Sequence, residues 1–298
     1  MIVLGGKRLT VSLCCDMGQA RKSNQDNYFV NGAFLTEPEK KRTELCFESD
    51  GGLFAVADGM GGEANGDKAS LTAVQELAGE YSKGHPRGDD ICRAVLSANE
   101  RVCEMVRSTG SRSGTTLAAA LINGNKLSIY NIGDSKCLLY RNGTLTQLSR
   151  DHTVTAQLIE AGLMTKQEAA RDRRSHQLFQ HIGIESGEMQ LSVFRNEGIS
   201  MQPDDVLIIC SDGLTDGLSD EDMISLISSS PDRNTLAGVL VDAAISKGSM
   251  DNVTALTVSK GHKTGSALKA LLVLLGCLGA AAVGTLAYLF ASGIIRLY

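Results

Sequence analysis

Four aspartates stand where short apolar runs end. Asp58 follows "LFAVA", Asp134 follows "LSIYNIG", Asp212 follows "VLIICS", and Asp251 lies in "GSMDNVTALTV", just ahead of another apolar run. Each has Gly, Ser or Asn beside it, and Asp58 sits in "FAVADGMGG", where glycines allow backbone to come close to a bound group. Four strands delivering a carboxylate to one place would build a self-repelling cluster unless cations sat in it. Oxygen ligands without His or Cys select hard cations, Mg2+ or Mn2+. Any one of these residues alone is also a turn former or a cap, the common fate of Asp-Gly. The four together point to a metal site.

The elements that must carry them alternate between strand and helix. Strands are expected in "NYFVNGAFL", "GLFAVAD", "TTLAAALI", "KLSIYNIGD", "KCLLYRNG", "DVLIICSD" and "VTALTVSK", short apolar runs closed by Gly, Asn or Asp. Helices are expected in "EANGDKASLTAVQELAGEYS", "DDICRAVLSANERVCEMVRST", "VTAQLIEAG" with "TKQEAARD", "SDEDMISLISSS" and "DRNTLAGVLVDAAISKG". The first two helices are long, consecutive and amphipathic, as a pair lying on a sheet would be. Hairpin-like runs such as "KLSIYNIGDSKCLLYRNGTLTQLS", with "RNG" as a turn, argue for antiparallel strands. The expected fold is therefore α+β, an antiparallel β-sandwich flanked by helix pairs (α-β-β-α) over residues 8–259.

Composition narrows the function. The 298 residues carry a net charge of −5, show no dense Lys/Arg stripe, and include 4% aromatics and no Trp, which argues against nucleic-acid binding. The eight cysteines lack CxxC spacing, and no charged segment followed by an apolar run opens the chain, so reduced thiols in a cytosolic body are expected, with Cys210 a small core residue.

The C-terminal segment differs from the body. After a basic linker at 260–269, residues 270–295 read "ALLVLLGCLGAAAVGTLAYLFASGII", without a charge. As a helix this run would be about 39 Å long at about 1.5 Å per residue, enough to cross a membrane. Lys260, His262, Lys263 and Lys269 precede it and Arg296 follows, which places the body on the cytoplasmic side of a single-pass anchor in the cell membrane. Gly276, Ala280 and Gly284 form a small-xxx-small face, a pattern common in such helices whether or not they pair.

In order along the chain, "DMGQARKSNQDNYFV", "DGMGGEANGDKAS", "SGTTLAAALI", "NIGDSKCLLYRNGTLTQLSRDHT", "SDGLTDGLSDEDM" and "GSMDNVT" resemble the successive motifs of the type 2C, metal-dependent serine/threonine protein phosphatases in their bacterial form. The resemblance runs from near Cys15 to Ser259. It implies hydrolysis of phosphoserine and phosphothreonine on proteins by a water activated at a binuclear Mg2+/Mn2+ centre, with a third, weaker ion. By motif position Asp58 would bridge the two metals, the Gly59 carbonyl would be a ligand, and Asp212 and Asp251 would complete the first metal's set. Asp134, with Asp212 and Asp216, would match the third-metal site. Arg21 would grip the substrate phosphate, Asp26 would orient the attacking water, and Asn252 would sit beside the centre. The implied partners are a membrane Ser/Thr kinase and its phosphoprotein substrates.

The sequence also departs from the family pattern. Met60 stands where eukaryotic members carry a histidine, Gln25 where many carry a glutamate, Glu63 replaces a histidine and Lys136 an arginine. The stretch after Asp151, through "SHQLFQHIG", fits the mobile flap beside the site but is unlike the usual segment. Its histidines, His152, His176 and His181, are expected in exposed flap or capping roles. Two other readings stay open: a catalytically weak phosphoprotein-binding regulator, and a hydrolase of small phosphomonoesters.

Overall fold

Successive side chains on a strand point to opposite faces, and the apolar residues of this chain sort accordingly into three layers. A computed structural model of the chain describes residues 9–61, 65–169, 171–185, 187 and 189–261. One sheet is formed by β1 (Leu9–Asp16), β4 (Arg42–Ser49), β9 (Lys136–Arg141), β10 (Thr144–Gln147), β12 (Val206–Cys210) and β13 (Val253–Lys260), in the order β10-β9-β12-β13-β1-β4. The other holds β2 (Asp26–Val30), β3 (Ala33–Phe34), β5 (Gly51–Met60), β7 (Leu117–Asn123), β8 (Lys126–Ile132) and β11 (Phe194–Ser200), in the order β11-β8-β7-β5-β2-β3, with β6 (Gly114–Thr115) paired to the end of β5. Adjacent strands are antiparallel in both sheets.

Between the sheets lie Leu13, Val30, Phe54, Val56, Ala120, Ile129, Leu207, Ile209, Leu256 and Val258. The outer face of the second sheet is covered by α1 (Gly66–Ser82) and α2 (Gly88–Thr109), whose Ala73, Leu77, Ile91 and Val95 meet Phe29, Leu53 and Ala55. Against the first sheet lie α5 (Asp212–Gly217), α6 (Asp220–Ser229) and α7 (Leu236–Ser246), through Leu214, Met223, Leu240 and Ala244. The remaining helices, α3 (Val154–Glu160) and the single turn α4 (Lys166–Ala169), follow β10. This is the expected α+β arrangement of antiparallel sheets with helices on both outer faces.

Three details depart from the expectation. "NYFVNGAFL" is two strands, because Asn31 and Gly32 both take positive φ (50° and 103°) and turn the chain back. Strands β1, β4 and β11 lie outside the expected set; β4 alternates charged and apolar residues as a sheet edge does, and β11 is largely exposed. The expected helix over "TKQEAARD" shrinks to one turn. The described residues up to Gly261 group as one compact unit. The expected membrane span lies outside the described residues, and among those no helix is long and apolar enough to cross a membrane.

Candidate metal centre

Strand parity selects which side chains reach the site. On β5, Leu53, Ala55 and Ala57 face the helices, whereas Phe54 and Val56 face the opposite sheet. The next position of that parity is Asp58. On β2 the inter-sheet residues are Tyr28 and Val30, so Asp26, which pairs with Asp58 across the two strands, belongs to the same layer. From the other sheet, the inter-sheet parity of Leu207 and Ile209 runs on to Ser211, and that of Leu256 and Val258 back to Thr254. At one end of the sandwich the layer between the sheets therefore changes from hydrocarbon to carboxylate and hydroxyl.

The hydroxyls hold the carboxylates. Asp26 is buried, and its Oδ2 accepts from Ser211 Oγ and Thr254 Oγ1, both at 2.7 Å. Burial nonetheless pushes its pKa up to about 7, against those two bonds and helped by the charges of Asp212 and Asp251. The backbone of Asp58 is fixed by threonines: its N–H donates to Thr116 Oγ1 at 3.0 Å and its carbonyl accepts from Thr115 Oγ1 at 2.9 Å. Burial, then the carboxylates of Asp212, Asp26 and Asp134, raise the Asp58 carboxyl well above the usual range, and it hydrogen-bonds Asp212. Burial also works against ionisation of Asp212, but the hydrogen bonds from His176 and Asp58 outweigh it and hold this carboxyl low. Asp134 is buried and pushed up to about 7 by burial and by Asp212.

At the rim, Asp251 Oδ2 accepts from Arg21 Nη2 at 2.5 Å, and its Oδ1 from the N–H of Asn252 at 2.7 Å. Asn252 ties the loop before β2 to β13: its Oδ1 accepts from the Gln25 N–H, and its Nδ2 donates to the carbonyls of Met17 and Ser23. Gly59 has a packing reason beside any metal role, since a Cβ there would lie 2.2 Å from the Gly66 carbonyl oxygen and 2.5 Å from that of Gln25. The Gln25 side chain lies against Gly66 at the start of α1. Met60 ends β5 beside these groups and offers no proton.

The structure thus brings Asp26, Asp58, Asp134 and Asp212 together, places the Arg21–Asp251 pair at the rim, and leaves Asp216 exposed at the edge. Among the described residues, the three side chains whose donor atoms all lie within 4.8 Å of one another are Asp134, His176 and Asp212. His176 is exposed in its segment, as expected, yet its ring stands beside Asp212. Its segment is zippered to the chain after β10: the Val154 N–H donates to the Gln177 carbonyl, the Phe179 N–H to that of His152, and Thr153 bridges Leu178. That pairing carries His176 over Asp212, a juxtaposition that no local pattern announces. His152 does depart from the expectation of exposure. It is buried, its Nδ1 accepts from the Gly133 N–H at 3.0 Å, and burial lowers its pKa, so it stays neutral and braces the turn that presents Asp134. His181 packs against Gly114. Cys210 is a core residue, its thiol pushed up to about 12 by burial.

These residues fit hard divalent cations. Two carboxyls in hydrogen-bond contact, with Asp212 Oδ1 buried and lacking a hydrogen-bond partner, form a strongly electronegative oxygen set between the sheets. A profile of the protein phosphatase 2C family matches residues 38–243. The chain belongs to this family. It is 30% identical over 253 residues to the serine/threonine phosphatase stp of Listeria welshimeri, covering 82% of this chain and 93% of that protein. With the serine/threonine protein phosphatase PstP of Mycobacterium tuberculosis it shares 30% identity over 244 residues, 80% of this chain and 42% of that one. The crystal structure of the M. tuberculosis phosphatase PstP/Ppp superposes with a TM-score of 0.71 at 28% identity, covering 86% of this chain and all of that one. A structure of the PstP catalytic domain with two manganese ions gives 0.66 at 28% identity, over 85% of this chain and all of that one. Membership makes this chain a metal-dependent hydrolase of phosphoserine and phosphothreonine in proteins, working with Mn2+ or Mg2+.

Proposed function

We propose that Asp58, the Gly59 carbonyl, Asp212 and Asp251 hold two cations at the polar end of the inter-sheet layer, and that a phosphoryl group enters past Arg21. The observation that carries this is the Asp58–Asp212 contact with the buried, unpartnered Asp212 Oδ1. Such a cation pair supplies a nucleophilic oxygen at neutral pH and neutralises charge on phosphorus. The chain's own groups do the rest. Arg21 reaches the mouth as a planar, half-exposed guanidinium, suited to grip two phosphoryl oxygens at once. Asp26 orients the attacking oxygen; with Oδ2 taken by Ser211 and Thr254, Oδ1 is the atom that takes its proton. Ser211, Thr254, Thr115 and Thr116 fix the two acids and exclude slack.

The same reading assigns residues 270–295 as an anchor that holds the phosphatase at the inner face of the cell membrane. There it opposes a membrane Ser/Thr kinase, because tethering raises the local concentration of shared substrates. Gln25, a neutral side chain near the second cation's expected place, favours one alternative, a phosphoprotein-binding regulator with weak turnover.

The test is turnover of a phosphothreonine peptide and of p-nitrophenyl phosphate by the full chain in detergent, with Mn2+ or Mg2+ titrated in. Metal-dependent turnover should fall by about 10²-fold or more in Asp212→Ala and Asp251→Ala, with circular dichroism unchanged. Undiminished activity in both variants would contradict the ligand assignment. A folded, metal-loaded chain without turnover would favour the regulator. Recovery of the full chain in the soluble fraction after cell lysis would refute the anchor.

A further inference from the structure

Beside the two-cation site, Asp134, His176 and Asp212 offer two carboxylate oxygens and an imidazole nitrogen, all within 4.8 Å of one another. They line a cleft of about 210 Å³ that also includes Asp151, Thr153 and Asp216. We infer that His176 is a nitrogen ligand of a third cation held with Asp134 and Asp212, and that Asp216 orients this imidazole from outside rather than ligating. The inference rests on the metal centre proposed above.

The His176–Asp212 distance, with Asp134 close by, carries it. Donor atoms around a six-coordinate ion with bonds of about 2.1 Å lie roughly 3.0 to 4.2 Å apart. His176 Nδ1 is 3.5 Å from Asp212 Oδ2, within that range and at the outer limit of a hydrogen bond. The other nitrogen, Nε2, is 4.0 Å from Asp216 Oδ2, and a small turn of the ring completes a carboxylate–histidine–metal arrangement, which fixes the tautomer with Nδ1 as the ligating atom. The neighbouring cation does not compete for the place, because Lys136 Nζ is held by Asp151 Oδ2 at 2.8 Å and by the Asp134 carbonyl at 3.2 Å. An imidazole donor makes the site softer than an all-oxygen one, so it takes Mn2+ in preference to Mg2+. Because His176 sits on the segment zippered to residues 152–154, ligation ties that segment to the two sheets.

The experiment counts Mn2+ on the full chain in detergent by isothermal titration calorimetry and looks for nitrogen in the ion's shell by pulsed electron paramagnetic resonance. The wild type should bind two equivalents tightly and a third more weakly, with 14N modulation that grows in with the third. His176→Ala should lose the modulation and weaken the third equivalent by about tenfold or more while keeping the first two, and Asp216→Asn should weaken the third by about tenfold. His176→Asp should accept Mg2+ as readily as Mn2+ in the third place. Three equivalents without nitrogen modulation, or an unchanged third equivalent in His176→Ala, overturns the inference and leaves the two-cation centre standing. Failure of the wild type to bind the first two equivalents overturns both.

Discussion

Stripped of divalent cations, the protein should lose stability as the pH rises from 6 to 8. Asp26 and Asp134, ordinarily near 3.8, are each pushed up to about 7, first by burial and then by neighbouring carboxylates. Between those values the folded chain binds more protons than the unfolded one. Stability from these groups is thus fully present below the unfolded value and lost as the pH rises through about 7. For one such group, integration from pH 6 to 8 gives about one proton-unit of pH, on the order of 1 kcal/mol, and the pair gives about 2–3 kcal/mol. Asp58, raised well above its usual range, acts in the same direction. Buried, neutral His152 acts the other way, lowering stability only below its unfolded value of about 6.5. A loss of about 2–3 kcal/mol is a large part of an ordinary domain's stability, and urea unfolding midpoints in EDTA at pH 6, 7 and 8 measure it directly. Asp134→Asn should make the fall with pH shallower by one group's share. Saturating Mn2+, which holds the carboxyls ionised, should flatten it and stabilise most at pH 8. If the midpoint in EDTA is flat or climbs with pH, these carboxyls are not crowded and desolvated as described.

Other perturbations separate chemistry from folding. Arg21→Lys should reduce kcat/KM for a phosphopeptide by about 10²-fold through loss of the planar fork. Its unfolding midpoint should barely move, since the half-exposed pair with Asp251 contributes at most about 1 kcal/mol. Gly213→Ala would place a Cβ 2.1 Å from the Asn252 carbonyl oxygen; thermal unfolding should show a loss of about 1–3 kcal/mol or more, because backbone cannot yield there. Arg141→Ala leaves the carboxylate of Asp205, which is 1% exposed and held by Arg141 Nε and Nη2 at 2.9 and 2.6 Å, without its counter-charge and with only the Gln202 N–H as donor. It should cost about 3–5 kcal/mol in denaturant titration while metal binding stays intact.

The acids were legible because each closes an apolar run, and strand chemistry leaves few reasons for a carboxylate there. The helix pair α1 and α2 was legible from long amphipathic periodicity. Less visible were the hydroxyls. Ser211 and Thr254 read as ordinary sheet residues until the register brings both onto Asp26 Oδ2. A signal existed in the alternation itself, since each lies two positions beyond an inter-sheet core residue, Ile209 and Leu256. His176 carried no such signal. Its place depends on a pairing between residues 152–154 and 177–179 across an irregular segment, and irregular backbone has no period to read. Strand β11 escaped for a related reason: with most of its residues exposed, it lacks the apolar rhythm that marks a strand.

The continuity of the inter-sheet layer has a consequence for how this enzyme can change. Asp26 and Asp58 hang from one sheet, Ser211, Asp212 and Thr254 from the other, so the gap between the two groups is gauged by the hydrocarbon that separates the sheets. Val56, Ile209 and Leu256 are, in that sense, shims. A thicker or thinner side chain at any of them would retune the spacing of the acids, and with it the choice of ion, without altering a single polar atom.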